Sequence, residues 1–348
     1  MSMSLHGGDI YRNQNVIDFS ANINPLGTPE SVKKAAKDAV DLISNYPDIQ
    51  CEKLRLSIAV KERVSESHVI CGNGAADIIF NLVTAIKPKK ALLLAPTFAE
   101  YEQALKTVDC QIDYYFLDES QGYNITEDFI SVVSNGYDMI FVCNPNNPTG
   151  TICTKSFLYR ILRECKKGNT LLVIDECFND FIDEPDLFTM KEYIEDYKNL
   201  FLVKAFTKLY AMAGLRLGYG LVSNRSVIEK MRTSTQPWNV SIPAQYAGIA
   251  ALKEVEYVGK TREMIQRERN YLSEELNNLG FSIYGSKANY IFFKAGIELY
   301  DKLLRKQILI RDCGNYKGLP TSRTCFYYRV AIKVHEENAE LIRKLKDI

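Results

Sequence analysis

Histidine is scarce in this sequence, and its cysteines are not grouped. Only His6, His68 and His335 occur among 348 residues, and no two of the nine cysteines are spaced as C-x-x-C. A structural zinc site needs four such ligands at short spacings, and a disulfide framework needs cysteines in even, grouped numbers; neither is expected. The cysteines read as reduced core thiols. No apolar run reaches the roughly 18 residues that a membrane-spanning helix needs. The opening, MSMSLHGGDIYRNQN, lacks the apolar stretch of a secretory leader, so a cytoplasmic protein is expected. Charge of one sign is missing too: 43 basic and 43 acidic residues give a net charge of +0. That balance gives no reason to expect nucleic acid or an anionic membrane as partner.

What is present is an ordinary globular composition, 46% hydrophobic and 25% charged. The length exceeds one compact core and suits a large domain with a smaller one. From about residue 65 to 222, short apolar runs end in turn residues: HVICGNG, KALLLAPT, DMIFVCNPNNPTG, TLLVIDE, LFLVKAFTK and GYGLVS. Helical stretches lie between several of them, at about 75–87, 99–108 and 156–166. Continuous apolar strands between helices predict an α/β fold, a mostly parallel sheet covered on both faces. Ligands collect at the C-terminal ends of such strands. Pro237 to Pro243 break the pattern, and a long helical region is expected over about 244–279, stopped by Gly280. The tail reads as a small α+β unit, joined by the first residues of the chain. The expected division is a large domain over 45–235 and a small one made of 1–44 with 236–348.

The run VKAFTKLYAMAGLRLGYG places two cations, Lys208 and Arg216, among mostly small and apolar residues. A lysine just after an apolar strand suits a Schiff base, because desolvation disfavours the ammonium and frees the nucleophilic amine. Asp175 ends the strand LLVID, 33 residues earlier (208 − 175 = 33). A carboxylate there needs a cationic partner, and a protonated pyridine nitrogen is one; a loop or helix-capping aspartate is the plainer alternative. In CGNGAAD, Gly72 and Gly74 allow a sharp turn into a helix whose free N–H groups face a phosphate. Asp77 stands where the last glycine of G-x-G-x-x-G would be, which argues against a dinucleotide fold. NPNNPTG makes a rigid turn after another strand and offers Asn147 as a hydrogen-bond donor.

Taken in order, GNGAAD, APTFAEY, NPNNPTG, DECF, FTK and GLRLGYG resemble the fold-type I pyridoxal-phosphate enzymes of the aminotransferase class I/II group. The resemblance covers essentially the whole chain. It implies pyridoxal 5'-phosphate as cofactor, with Lys208 bonded to its aldehyde carbon and Asp175 paired with the pyridinium nitrogen. It implies Asn147 at the phenolic oxygen, and Gly74, Ala75, Thr207 and Arg216 around the phosphate. Phe98 would stack on the ring. One position departs from the pattern: many relatives have tyrosine three residues after the aspartate, and here it is Phe178.

The ends of the chain point to a branch of that family. HGGD, DFSANINPLG, NYPD, LIRDCGNYKGL and YYRVAIK resemble the threonine-phosphate decarboxylases of cobalamin biosynthesis. The histidinol-phosphate aminotransferases share part of this set. The resemblance implies Arg329 at the substrate carboxylate and Arg311 at its phosphate, with His6, Gly7 and Gly8 closing over that phosphate; Asn147 also faces the substrate. Tyr46 would reach the cofactor phosphate of a neighbouring subunit, hence a homodimer. Surface ion pairing is the plainer alternative for both arginines. Decarboxylation of threonine phosphate is favoured over transamination, and phosphoserine is another candidate substrate.

Overall fold

The computed structural model describes residues 6–320, 322 and 324–348. The described residues form thirteen strands, most of them separated by helices. In chain order they are β1 (Ile17–Asp18), β2 (Val69–Gly72), β3 (Lys90–Ala95), β4 (Gln111–Phe116), β5 (Met139–Cys143), β6 (Leu171–Asp175) and β7 (Leu200–Ala205). There follow β8 (Gly218–Leu221), β9 (Ser282–Tyr284), β10 (Tyr290–Ala295), β11 (Ile308–Leu309), β12 (Arg311–Asp312) and β13 (Phe326–Ala331). Seven strands form the large sheet, ordered β2-β8-β7-β6-β5-β3-β4. Only β8 runs against its neighbours, at β7 and β2.

Both faces of this sheet are covered, so its central strands carry no polar alternation. Along β5 and β6, Ile140, Val142, Leu172 and Ile174 enter one core, and Met139, Phe141, Leu171 and Val173 the other. That is the period of two expected of a strand. Helix Lys155–Lys167 closes the first face with Leu158 and Ile161. Helices Ala75–Ile86, Ala99–Lys106 and Arg225–Ser234 close the second with Ile78, Tyr101 and Val227. No helix among the described residues is long and apolar enough to cross a membrane.

The small sheet is antiparallel, ordered β12-β13-β10-β9. The N-terminal segment joins this part of the chain: Ile17 pairs with Ile308 in the parallel β1–β11 ladder. The helix that follows, Glu30–Asp38, packs against helix Ile242–Ala251 instead. The long helical region expected over about 244–279 consists of two helices, Ile242–Ala251 and Val255–Asn278. The Ser241 hydroxyl caps the first, and Gly280, at φ +82°, stops the second. The chain turns between them at Leu252–Glu254, where neither glycine nor proline marks the break.

Candidate active site

The cavity lies where the strands of the large sheet end and the small sheet meets them. It is lined by residues from β6, from the segments after β2, β3, β5 and β7, from β12 and β13, and from the chain start. Its volume is about 240 Å³, room for a small molecule. Lys208, Arg216, Arg311 and Arg329 face it against only two carboxylates, Glu100 and Asp175. Four basic side chains against two acidic ones make the cleft a site for anions.

Lys208 sits on the short helix Phe206–Leu209 that follows β7 directly. Burial, then the Arg329 guanidinium, pushes its ammonium down to about 8. Its Nζ lies 5.9 Å from the centre of the Phe178 ring. The same run holds a third cation that sequence reasoning passed over, Lys204. Its Nζ meets Glu62 Oε1 at 2.9 Å in the interior, and Tyr219 donates to the same oxygen. Burial alone would lower Lys204; Asp180 and Glu62 outweigh it and raise it. Lys204 is therefore a paired structural cation, and Lys208 the readily deprotonated one.

Asp175 ends β6 and is 5% exposed. The Tyr101 hydroxyl donates to its Oδ2 at 2.6 Å, and the Cys177 N–H to its Oδ1 at 2.9 Å. Tyr101 stacks on Phe141 at 4.8 Å, so the carboxylate is held on a packed support. Tyr101 was not among the residues singled out from the sequence. It lies three residues after Phe98 at the start of one helix, and that spacing puts the two side chains side by side, edge to face at 5.5 Å.

At one end of the cavity the Arg216 guanidinium covers Gly74. A Cβ on Gly74 would lie 2.4 Å from Arg216 Nη2, and Gly74 is at φ +99°. Glycine is the only residue that fits both demands. Ala75 opens a twelve-residue helix at the same point, and Thr207 lines the wall beside it. Gly74 lies under Arg216 and does not itself line the cavity.

At the other end, Arg311 on β12 and Arg329 on β13 are direct cross-strand partners. Both are 5% exposed. Arg329 donates through Nη1 to Asn147 Oδ1 and through Nη2 to the Ser20 carbonyl at 2.7 Å. Its Nε is buried and has no hydrogen-bond partner among the described residues. Arg311 donates to Asn315 Oδ1 at 2.8 Å and to the Asp312 carbonyl. Both arginines are buried, where the plainer alternative had placed them at the surface. His6 and Gly7 also line this end. Gly8 stands just behind, its N–H donating to Ser20 Oγ at 2.7 Å.

Phe98 and Asn147 line the cavity as well. Phe178 brings no hydroxyl, and its ring packs edge to face on Tyr290 at 5.1 Å. The Tyr290 hydroxyl is itself spent on the Asn146 carbonyl at 2.7 Å. Tyr46 lies outside the cavity: it is 78% exposed and stacks on Trp238 at 4.5 Å.

A buried, lowered lysine, a braced aspartate and a guanidinium over a glycine turn at a helix start are the features that a pyridoxal-phosphate site on a mostly parallel sheet would need. The chain belongs to the aminotransferase class I and II family, whose profile matches residues 14–345. It is a pyridoxal-phosphate-dependent enzyme. Threonine-phosphate decarboxylase of Salmonella typhimurium is 35% identical over 99% of this chain and 96% of its own. Histidinol-phosphate aminotransferase of Caldicellulosiruptor saccharolyticus is 31% identical over 96% of this chain and 92% of its own. The crystal structure of histidinol-phosphate aminotransferase from Clostridium acetobutylicum superposes with a TM-score of 0.87 at 32% identity, covering 94% of this chain and 98% of that one. The residues present fit the cofactor: the depressed Lys208, the Gly74 cradle beneath Arg216 and the Asp175 carboxylate braced by Tyr101 are what it would engage.

Proposed function

We propose that the enzyme decarboxylates L-threonine O-3-phosphate, giving 1-aminopropan-2-yl phosphate for the cobalamin side chain. The observation that carries this reading is the cross-strand pair Arg311–Arg329. Like charges directly opposite each other destabilise a ladder, and two buried guanidinium groups cost more still. A small ligand with two separate anionic groups offsets both costs at once. Threonine phosphate has a carboxylate and a phosphate. The relative from Salmonella typhimurium, similar along its whole length, supports the same choice.

In this reading Lys208 holds the cofactor's aldehyde carbon and later carries a proton. Asp175, oriented by Tyr101, holds the pyridinium proton, and Phe98 packs on the ring. Gly74, Ala75, Thr207 and Arg216 hold the cofactor phosphate. Bound pyridoxal phosphate supplies an electron sink for the substrate bond that is held perpendicular to its ring. Arg329 takes the carboxylate with a bidentate fork and so sets the Cα–carboxylate bond in that position. Arg311 takes the substrate phosphate, and His6, Gly7 and Gly8 close over it. Asn147 faces both cofactor and substrate. One proton replaces the CO₂ that leaves Cα.

We further propose a homodimer in which Tyr46 reaches the neighbouring cofactor phosphate. The exposed Tyr46–Trp238 stack beside exposed Ile43 and Ile49 supports that reading. Residues 1–44 with 236–348 would form the small domain and 45–235 the large one.

The test is product analysis on the holoenzyme. Threonine phosphate should release one CO₂ per amine formed, with no 2-oxo acid present. Turnover of histidinol phosphate that requires 2-oxoglutarate would mark an aminotransferase instead, the activity of the relatives with 31–32% identity. Phosphoserine belongs in the same assay, because one methyl group discriminates by only about 1–3 kcal/mol.

A further inference from the structure

Glu100 stands in the first turn of helix Ala99–Lys106, two residues beyond Phe98, and lines the cavity with His6 and Arg311. Its side chain is 12% exposed. Oε1 meets His6 Nδ1 at 3.0 Å. Oε2 is buried and has no hydrogen-bond partner among the described residues. An ionised oxygen left that way is expensive, and a carboxyl that keeps its proton avoids the charge.

The groups acting on Glu100 are His6, Asp175, Lys208, Arg311 and Tyr316. Burial pushes its carboxyl up to about 7 and Asp175 adds to this, against the pull of its own backbone N–H, Lys208 and Arg311. His6 moves the other way, lowered by burial and then by Arg311. Near neutrality the pair therefore holds its proton mainly on the carboxyl.

The backbone before Ser20 presses His6 onto this end of the cavity. A Cβ on Gly7 would lie 2.1 Å from the Ser20 carbonyl oxygen, so no larger residue fits. Gly8 is at φ +87° and is tied to Ser20 Oγ. The Ser20 carbonyl in turn accepts from Arg329. The His6–Glu100 contact anchors the other end of this strap.

We propose that Glu100 is a positioning residue that anchors His6 and keeps a proton, so that a phosphomonoester dianion binding at Arg311 draws proton uptake by Glu100. The proposal rests on the reading of Arg311 as the phosphate clamp. A carboxylate beside that clamp would repel the dianion, and a neutral carboxyl does not. A dianion already in place raises the carboxyl further, which is the same coupling seen from the other side. Phosphate binding should therefore weaken as pH rises above about 7.

The experiment titrates the holoenzyme with isopropyl phosphate, which has no amine to react, by calorimetry in two buffers of different ionisation heat. Measurements run from pH 7.0 to 8.5, above the second ionisation of a phosphate ester near about 6. Wild type should take up roughly half a proton per site at pH 7.5, and its Kd should rise about fivefold or more across the range. Glu100→Gln should lose most of the uptake and most of the pH dependence, with the bound-cofactor absorption retained. Equal uptake in the two proteins overturns the proposal. So does pH-independent binding by wild type, which decides the matter even if the variant fails to fold. If wild type releases CO₂ from threonine phosphate yet binds isopropyl phosphate without proton uptake, the role of Glu100 falls and the decarboxylase reading stands. If wild type neither binds the ester nor turns over threonine phosphate, both fall.

Discussion

Lys208 should behave as an amine with a midpoint near 8, and Arg329 should be part of the reason. Burial is the main cause of the lowered value and Arg329 the largest charge acting on it. With a midpoint of about 8, about a quarter of the side chain is neutral at pH 7.5, against about one part in a thousand for an unperturbed lysine near 10.4. Arg329→Gln keeps a donor in reach of Asn147 and removes the charge. Losing one nearby cation should raise the midpoint by about one pH unit, since an effect of about 1.4 kcal/mol is typical of a close charge in a buried site. The neutral fraction at pH 7.5 then drops to about one part in thirty, roughly eightfold less. Burial persists, so the midpoint should stay below that of a free lysine. The assay is the rate at which fluorodinitrobenzene, an uncharged amine reagent, modifies Lys208 in the apoenzyme. It is followed against pH by mass spectrometry of the peptide. A wild-type midpoint near 10 would refute the argument from burial. A midpoint unchanged in Arg329→Gln would refute the argument from charge.

Lys208→Ala should abolish the visible absorption of bound cofactor and nearly all turnover; a borohydride-reduced adduct on any other lysine of wild type contradicts this. Asp175→Asn removes the negative charge braced by Tyr101 and should slow turnover by orders of magnitude while the cofactor still binds; wild-type rates in that variant would make Asp175 purely structural. Arg311→Ala should lower kcat/KM for threonine phosphate about tenfold or more, because a charged hydrogen bond is worth roughly 1.5–3 kcal/mol, and should leave threonine itself unaffected. Gly74→Ala forces a left-handed Cβ into Arg216. It should weaken pyridoxal phosphate about tenfold or more and leave pyridoxal, which has no phosphate, unchanged; equal loss of both would show that the turn has merely collapsed.

The large sheet could be read from the sequence because burial on both faces leaves a plain signature. LLVID and MIFVC carry no polar alternation; Asp175 ends the first, and the turn after the second bears Asn147. The two arginines were legible as residues but not as neighbours, since the β12–β13 register brings together positions 311 and 329 from separate strands. The break at Leu252–Glu254 escaped because good helix formers fill it and tertiary packing sets the turn. Lys204 was passed over for a related reason. It sits four residues before Lys208 in the same apolar run, and what separates them is a partner, Glu62, 142 positions away in the chain. Glu100 and Tyr101 lay inside a quoted motif, but only the folded chain shows that one meets His6 and the other Asp175.

In the proposed reading, the substrate clamp and the cofactor ring are linked through a single amide. Arg329 can only donate, so the Asn147 atom that it meets is the carbonyl oxygen Oδ1. That contact fixes the amide's orientation and leaves Nδ2 as the group that Asn147 can offer to a ligand. The orientation matters more here than in relatives with tyrosine at position 178, because Phe178 has no hydroxyl to offer the cofactor's phenolic oxygen. A carboxylate that pulls on the Arg329 guanidinium therefore acts on the amide as well. In that reading it would loosen or tighten the hydrogen bond that Asn147 offers the ring. If this coupling operates, a carboxylate ligand should shift the absorption of bound cofactor in wild type. Arg329→Gln should show the shift much reduced at saturating ligand, although its own amide can still bond Asn147. An equal shift in the two proteins would mean that clamp and ring respond independently.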